Sequence, residues 1–385
     1  MNSIKKFKIP GLLTLTALAV PMSMAALAIH ASQSYTANNN GTQISTVETK
    51  ARIKITNQPK IQIAILLDTS SSMSGLIDQS REQIWQVVNE FSEATQNDIK
   101  PILEVAVFEY GNSNLSNENG YIRKVSGLTS ELDQVSEALF SLTTNGGEEY
   151  CGYVINTAVN DLNWSNSDDD IKSIFIAGNE PFTQGPVSFR KAIAAAKQKG
   201  IVVNTIHAGD QQEGLSTGWK DGAMLAGGNF MSIDHNQQVV HINAPQDKRL
   251  AELNSQLNQT YIPYGRDGRK KAERQATQDN NSSSVSAGLL AKRASSKASG
   301  YYRNSQWDLV DAEQEGKVDL DSIDEKKLPA KMRSMNKTER KQYVKDAATK
   351  RNVIKQEILA LSEQRKNFVG KEKKKQAVNK DNTME

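Results

Sequence analysis

Residues 61–75 read Ile-Gln-Ile-Ala-Ile-Leu-Leu-Asp-Thr-Ser-Ser-Ser-Met-Ser-Gly. An apolar run rich in isoleucine precedes Asp68, and apolar residues from 76 to 91 then recur at helical spacing. The pattern predicts a buried strand that delivers Asp68, Ser70 and Ser72 to a strand-to-helix turn. In open α/β sheets such turns lie at the carboxyl edge, where ligands bind.

Further apolar segments alternate between strand-like and helix-like spacing. Several of the strand-like segments are apolar throughout, as expected for strands that helices cover on both faces. The fold class is therefore α/β, a doubly wound, mostly parallel sheet with a helical C-terminal tail. The predicted strands are 61–67, 103–108, 121–125, 171–176, 201–206 and 229–233, and the predicted helices are 76–91, 132–142, 154–162, 187–199, 219–225 and 246–258.

Composition indicates that part of the chain does not bury a dense core. Hydrophobic residues make up 37% of the 385 residues, and the mean hydropathy is −0.56. Charge is uneven, because residues 261–385 carry 28 Lys plus Arg against 18 Asp plus Glu, while the whole chain has a net charge of +3. A basic tail indicates either an anionic partner or a solvated helix, and the interspersed acids favour the solvated helix.

The N-terminus is typical of an export signal. Lysines precede an apolar run at 11–22, and a small-x-small cleavage site follows at 26–28. An uncleaved membrane anchor is the alternative, since 11–29 approaches the roughly 20 residues of a span. Export predicts a periplasmic or cell-surface protein. Cys151 is the only cysteine, so no intramolecular disulfide forms, and we interpret it as a packed side chain.

Composition also divides the chain into segments. We predict a signal peptide at 1–28, a linker at 29–58, an α/β domain at 59–258, a low-complexity linker at 259–300 and a charged helical tail at 301–385.

The predicted tail contains one long amphipathic helix. Asn336 and Glu339 form a helix-capping pair, and the helix can run to about Phe368. Its apolar stripe has a gap at Arg351, which makes it too short and interrupted for a sustained coiled coil.

Three turns at the predicted sheet edge offer oxygen donors. They are Asp68-Thr-Ser70-Ser-Ser72, the loop Gly146-Gly-Glu148-Glu149, and Asn179 after the strand 171–176. Mg²⁺ prefers six oxygen ligands and keeps several waters. The alternative for the first motif is a helix cap, because Ser and Asp oxygens accept the first free amide protons of a helix.

The order of these motifs resembles a von Willebrand factor type A domain with its metal-ion-dependent adhesion site, over residues 59–258. Residues 174–186, 218–222 and the tail near 328–343 resemble exported bacterial members of that family. The resemblance implies Mg²⁺ held by Asp68, Ser70 and Ser72, and capture of a protein ligand, often through a ligand carboxylate. The family usually has Thr where this chain has Glu148 and Glu149, and commonly Asp in place of Asn179.

Enzymatic function is not expected. Phosphoryl transfer would need a phosphate-binding Gly-rich loop with a Lys, and no such motif is present. His207 follows a strand, but no zinc spacing or hydrolase triad includes it. We therefore expect a metal-dependent protein-binding module of the bacterial envelope that does not bind nucleic acid. The alternative is a structural or assembly protein that acts mainly through its C-terminal helix.

Overall fold

The computed structural model describes residues 58–73, 99–233 and 241–381, together with Gly75, Ile77 and Trp85. The predicted signal at 1–28, nearly all of the linker at 29–58 and most of the helix at 76–91 lie outside the described residues.

Six strands form a single sheet. Their bounds are β1 Lys60–Asp68, β2 Ile102–Tyr110, β3 Ile122–Thr129, β4 Ile171–Gly178, β5 Val202–Ala208 and β6 Phe230–Ile233. The order across the sheet is β3-β2-β1-β4-β5-β6, and every neighbouring pair is parallel except β2 with β3. The predicted mostly parallel sheet is confirmed, and β3 is its antiparallel edge strand.

Helices lie between the strands and continue after the sheet. In chain order they are α1 Leu132–Phe140, α2 Cys151–Asp161, α3 Phe189–Gln198, α4 Gln211–Ser216, α5 Trp219–Leu225, α6 Asp247–Asn258, α7 Gly268–Val285, α8 Ala287–Ala298, α9 Leu309–Gln314, α10 Ala330–Arg333 and α11 Lys337–Asp381. Short 3-10 turns occur at Ser71–Met73, Asn117–Asn119 and Glu325–Lys327.

The two faces of the sheet bury separate cores. Along β1, Ile61 and Ile63 face the core formed with α1, α6, α8 and α11, whereas Ala64 and Leu66 face the core formed with α2, α3 and α5. This alternation follows from the two-residue period of a strand. Each fully buried Ile or Leu contributes about 1.5–3 kcal/mol, so β1 is fixed from both sides.

The prediction of a low-complexity linker at 259–300 is wrong for most of that segment. The segment forms α7 and α8, which pack on the sheet domain. Arg293 is fully buried and bonds Asp133 at 2.7 Å and Asp279 at 2.6 Å. Lys297 is also buried and bonds Asp279 at 2.8 Å. The segment looked like a linker because polar and charged side chains form much of its buried face.

Helix α11 is also part of the body rather than a free tail. Its capping pair is confirmed, since Asn336 and Glu339 exchange bonds of 2.8 and 3.0 Å between side chains and backbone amides. Ile354 and Ile358 join the core that the sheet shares with α6 and α8. Arg351, the gap in the apolar stripe, is 2% exposed and bonded to acidic groups.

No helix in the described part of the chain is long and apolar enough to span a membrane.

Candidate functional site

The carboxyl ends of the central strands bring the predicted site together. In the register of the sheet, Asp68 at the end of β1 lies opposite Tyr110 at the end of β2, and Leu67 lies opposite Ala177 of β4. The turns that follow β1, β2 and β4 therefore meet at one edge.

Asp68 is the buried centre of this edge, with no exposed surface. Its Oδ1 accepts a 2.7 Å hydrogen bond from the backbone N–H of Ser70, whereas its Oδ2 is buried without a hydrogen-bond partner. Burial raises the pKa of Asp68 to about 7, although Ser70 and the backbone N–H of Asn179 lie near enough to lower it in part. The turn after β1 therefore supplies a hydrogen bond to Oδ1 of Asp68 but none to its Oδ2.

Ser70 and Ser72 present their hydroxyls side by side. Ser70 is 3% exposed, Ser72 is exposed, and their Oγ atoms are 3.2 Å apart. The 3-10 turn at Ser71–Met73 produces this arrangement, with the Met73 N–H donating to the carbonyl of Ser70 at 3.1 Å. The structure thus brings together the three residues of the first predicted motif.

The glycine loop approaches the site closely. Gly147 has φ of +148°, and a Cβ there would lie 1.6 Å from the carbonyl oxygen of Gly111. The N–H of Asn145 donates to the carbonyl of Thr69 at 3.1 Å, which fixes the loop against the first turn. Only glycine permits so close a contact between the two backbones.

The two glutamates of this loop have different positions. Glu149 is 6% exposed, and its pKa is raised to about 7 by burial and then by the charges of Asp68 and Glu180. Glu148 is exposed and lies at the rim, where its Oε2 is 3.5 Å from the Tyr150 hydroxyl and 3.4 Å from Gln184 Nε2. Of the two acids predicted as metal ligands, the structure brings Glu149 into the buried site.

The turn after β4 supplies Asn179. Its Oδ1 is buried and has no hydrogen-bond partner, as is the case for Oδ2 of Asp68. Glu180, which is not among the predicted ligands, carries a charge that raises the pKa of both Asp68 and Glu149. The sequence signal for Glu180 is its position directly after Asn179, at the end of a predicted central strand.

Glycines leave space around these oxygens. A Cβ on Gly178 would lie 3.1 Å from Asp68 Oδ2, and a Cβ on Gly111 would lie 2.9 Å from Asp68 Oδ1 and 2.8 Å from Glu149 Cγ. A side chain at either position would crowd the carboxylates. The backbone at Gly111 and Gly178 thus packs directly against the Asp68 carboxylate.

Cys151 and His207 are fully buried near this edge. The Tyr110 hydroxyl donates to the Ala177 carbonyl at 3.0 Å and lies 3.7 Å from Cys151 Sγ. Burial holds the pKa of Cys151 well above its ordinary value. The ring of His207 packs 5.7 Å from that of Trp219. These contacts fit packing roles for both side chains.

The donor set consists of hard oxygen atoms. Within the described residues, no group of three or more His, Cys, Asp or Glu side chains is placed to hold a metal ion. Asp68 and Glu149 instead lie with hydroxyl and amide oxygens, which suit Mg²⁺ rather than a soft metal. The two orphaned buried oxygens, Asp68 Oδ2 and Asn179 Oδ1, fit a cation ligand set.

Residues 62–217 match the family model of the von Willebrand factor type A domain. Residues 62–217 therefore have the VWA fold. No curated protein matches the sequence.

Solved structures similar to this chain cover a little less than half of it. An aerotolerance-related membrane protein from Bacteroides fragilis NCTC 9343 is 15% identical, with a TM-score of 0.32, over 45% of this chain and 92% of its own. The SpRpn10 VWA domain is 17% identical, with a TM-score of 0.33, over 47% of this chain and 100% of its own. The pilus adhesin SpaC from Lactobacillus rhamnosus GG is 12% identical, with a TM-score of 0.35, over 47% of this chain and 28% of its own.

Proposed function

We propose that the VWA domain binds Mg²⁺, or another divalent cation, through Asp68, Ser70, Ser72, Glu149 and Asn179, and so grips a protein partner. The observation that carries the proposal is the pair of buried oxygens without hydrogen-bond partners, Asp68 Oδ2 and Asn179 Oδ1. A buried polar atom left unsatisfied costs about 1–3 kcal/mol, and more for a charged group. A cation would satisfy both oxygens at once.

Charge at the site supports the same proposal. Asp68 and Glu149 are both buried; the charge of Asp68 raises the pKa of Glu149, and the charge of Glu180 raises the pKa of both. Like charges in one buried site favour a bound counter-ion. A bound Mg²⁺ would supply a positive centre open to a carboxylate oxygen of the partner. Glu149 adds a negative charge where the family usually has Thr, which offsets the neutral Asn179.

Adhesion without catalysis is the form of this function that we propose. The chain's only thiol, on Cys151, is buried with a raised pKa, and the ring of His207 is buried against Trp219. Neither group is presented to a substrate at the edge. Location in the bacterial envelope is part of the proposal and depends on the export signal in the sequence.

Metal binding and partner capture test the proposal separately. Isothermal titration with MgCl₂ measures the first, and pull-down of the exported protein with Mg²⁺ or with EDTA measures the second. Asp68→Ala should weaken Mg²⁺ binding about 100-fold, since it removes the central carboxylate. The matched control is Asp161→Ala, an exposed acid at the end of α2. Partner capture that is unchanged by both EDTA and Asp68→Ala would refute the proposal.

The second candidate is assembly through the C-terminal helix, and one observation favours it. Arg365 bonds Asp247 at 2.5 Å, and beyond it residues 366–376 of α11 are mostly exposed and rich in Lys. A truncation that tests this candidate must keep the core residues of α11, such as Ile358. Truncation after Arg365 keeps them. If it leaves oligomeric state and partner capture unchanged, assembly through this helix is refuted.

A further inference from the structure

Several loops surround the site at the carboxyl edge of the sheet. They are tied to one another: the Ser113 N–H donates to the Gly146 carbonyl at 3.1 Å, and the Phe182 N–H donates to the Thr217 carbonyl at 3.0 Å. The loops that follow β1, β2, β4 and β5, and the loop before α2, thus form one surface around Asp68. We call residues 69–73, 111–121, 141–150, 179–188 and 209–218 the edge loops; the last of these ranges includes the short helix α4.

The edge loops carry acidic side chains and, within these described ranges, no Lys or Arg. Their acidic residues are Glu118, Glu148, Glu149, Glu180, Asp210 and Glu213, and Asp68 lies immediately before the first loop. A divalent cation compensates two of these charges, so an acidic excess remains with the metal bound. A surface of one sign attracts a partner of the opposite sign and repels others.

Basic residues near this surface lie in the adjoining elements. Arg123, near the start of β3, is paired with the buried Glu109. Arg190, near the start of α3, is 3.4 Å from Asp221. These pairs lie outside the edge loops, in which Glu118, Glu148, Asp210 and Glu213 are exposed.

Tyrosine rings stand beside the acids. The rings of Tyr121 and Tyr150 meet edge to face, with centroids 6.0 Å apart, and the Tyr150 hydroxyl is 3.5 Å from Glu148 Oε2. Tyr121 has φ of +55°, a conformation that non-glycine residues seldom adopt and that costs about 1–3 kcal/mol. Two backbone bonds hold it there, from Tyr121 N–H to Ser116 O at 3.0 Å and from Gly111 N–H to Tyr121 O at 3.1 Å.

We infer that the partner of this site is a basic protein segment, in which Lys or Arg side chains flank the carboxylate that reaches the metal. The flanking cations would lie against Glu148 and the Tyr121–Tyr150 pair, where a carboxylate and aromatic rings both favour a cation. The inference rests on the proposed function, because the central carboxylate contact requires the metal. It adds the chemistry of the partner around that contact.

The test uses the whole exported protein with labelled peptides in Mg²⁺. The sequences are Gly-Lys-Lys-Asp-Lys-Lys-Gly, the neutral Gly-Ser-Ser-Asp-Ser-Ser-Gly, and Gly-Lys-Lys-Asn-Lys-Lys-Gly, which lacks the carboxylate. Fluorescence anisotropy is read at about 50 mM and about 300 mM NaCl, on either side of physiological screening. The basic Asp peptide should bind about tenfold more tightly than the neutral one at low salt, and the difference should shrink at high salt.

Two triple variants locate the effect. Glu118→Gln with Glu148→Gln and Glu213→Gln removes exposed edge-loop charges and should abolish the advantage of the basic peptide. The control removes the same charge from exposed sites on the C-terminal helices, as Glu313→Gln, Asp346→Asn and Glu363→Gln, and should leave the advantage intact.

The outcomes separate this inference from the proposed function. If the basic Asp peptide binds no better than the neutral one, or if the control abolishes its advantage, the inference is overturned. If the Asp and Asn peptides bind equally and remain bound in EDTA and to Asp68→Ala, the proposed function fails while the preference for a basic segment stands.

Discussion

Replacing Arg351 by Met should show that α11 is part of the folded body. The guanidinium is 2% exposed and bonds Asp308 at 2.6 Å, Asp311 at 2.7 Å and the Thr260 carbonyl at 2.7 Å. It also lies 4.2 Å from the centroid of the Tyr261 ring. Arg351→Met keeps most of the side-chain volume but leaves two buried carboxylates without their cation.

The cost follows from that uncompensated charge. Removing one partner of a buried ion pair costs about 3–5 kcal/mol. Domains are typically stable by about 5–15 kcal/mol, so the variant should lose a large share of its stability. The free energy of unfolding from urea denaturation measures the loss, and limited proteolysis shows whether α11 is released.

Lys350→Met is the matched control, because Lys350 is the exposed neighbour of Arg351 on the same helix. Surface changes of this kind are usually within about 0.5 kcal/mol. A loss below about 1 kcal/mol for Arg351→Met, with α11 still protected from protease, would refute the assignment of Arg351 as a buried attachment point.

Two further predictions concern the glycine loop and acid stability. Gly147→Ala should abolish Mg²⁺ binding in calorimetry while circular dichroism stays unchanged, because its Cβ would meet the Gly111 carbonyl at 1.6 Å. Burial alone would raise the pKa of Asp279, but the positive charges of Lys297 and Arg293 outweigh this effect and hold that pKa well below the ordinary 3.8. The stability from Asp279 is therefore complete above about pH 4 and is lost as pH falls below that, so Asp279→Asn should flatten the acid limb of urea denaturation curves.

Much of the sheet could be predicted from sequence because its signals are local. The strand of Asp68 is apolar on both faces, and α5 was predicted at its observed bounds because its helical spacing is short and clear. The antiparallel edge strand β3 showed its alternation in the sequence. In each case the pattern of one segment reports its own environment.

The C-terminal helices could not be predicted in the same way, because their burial depends on pairing between distant residues. Arg293 bonds Asp133, which precedes it by 160 residues, and no local pattern distinguishes such an arginine from an exposed one. Arg351 interrupts an apolar stripe for the same reason. At the site, the two glutamates are adjacent in sequence, and their separation into a buried Glu149 and an exposed Glu148 depends on the conformation of the loop.

The position of Cys151 has a practical consequence. It is the chain's only thiol, fully buried at the first turn of α2 and 3.7 Å from the hydroxyl of Tyr110. A thiol reagent should therefore react only when this half of the protein opens. The rate of Cys151 labelling therefore measures how often this half of the protein opens. Bound Mg²⁺ should lower that rate if the metal stabilises the edge.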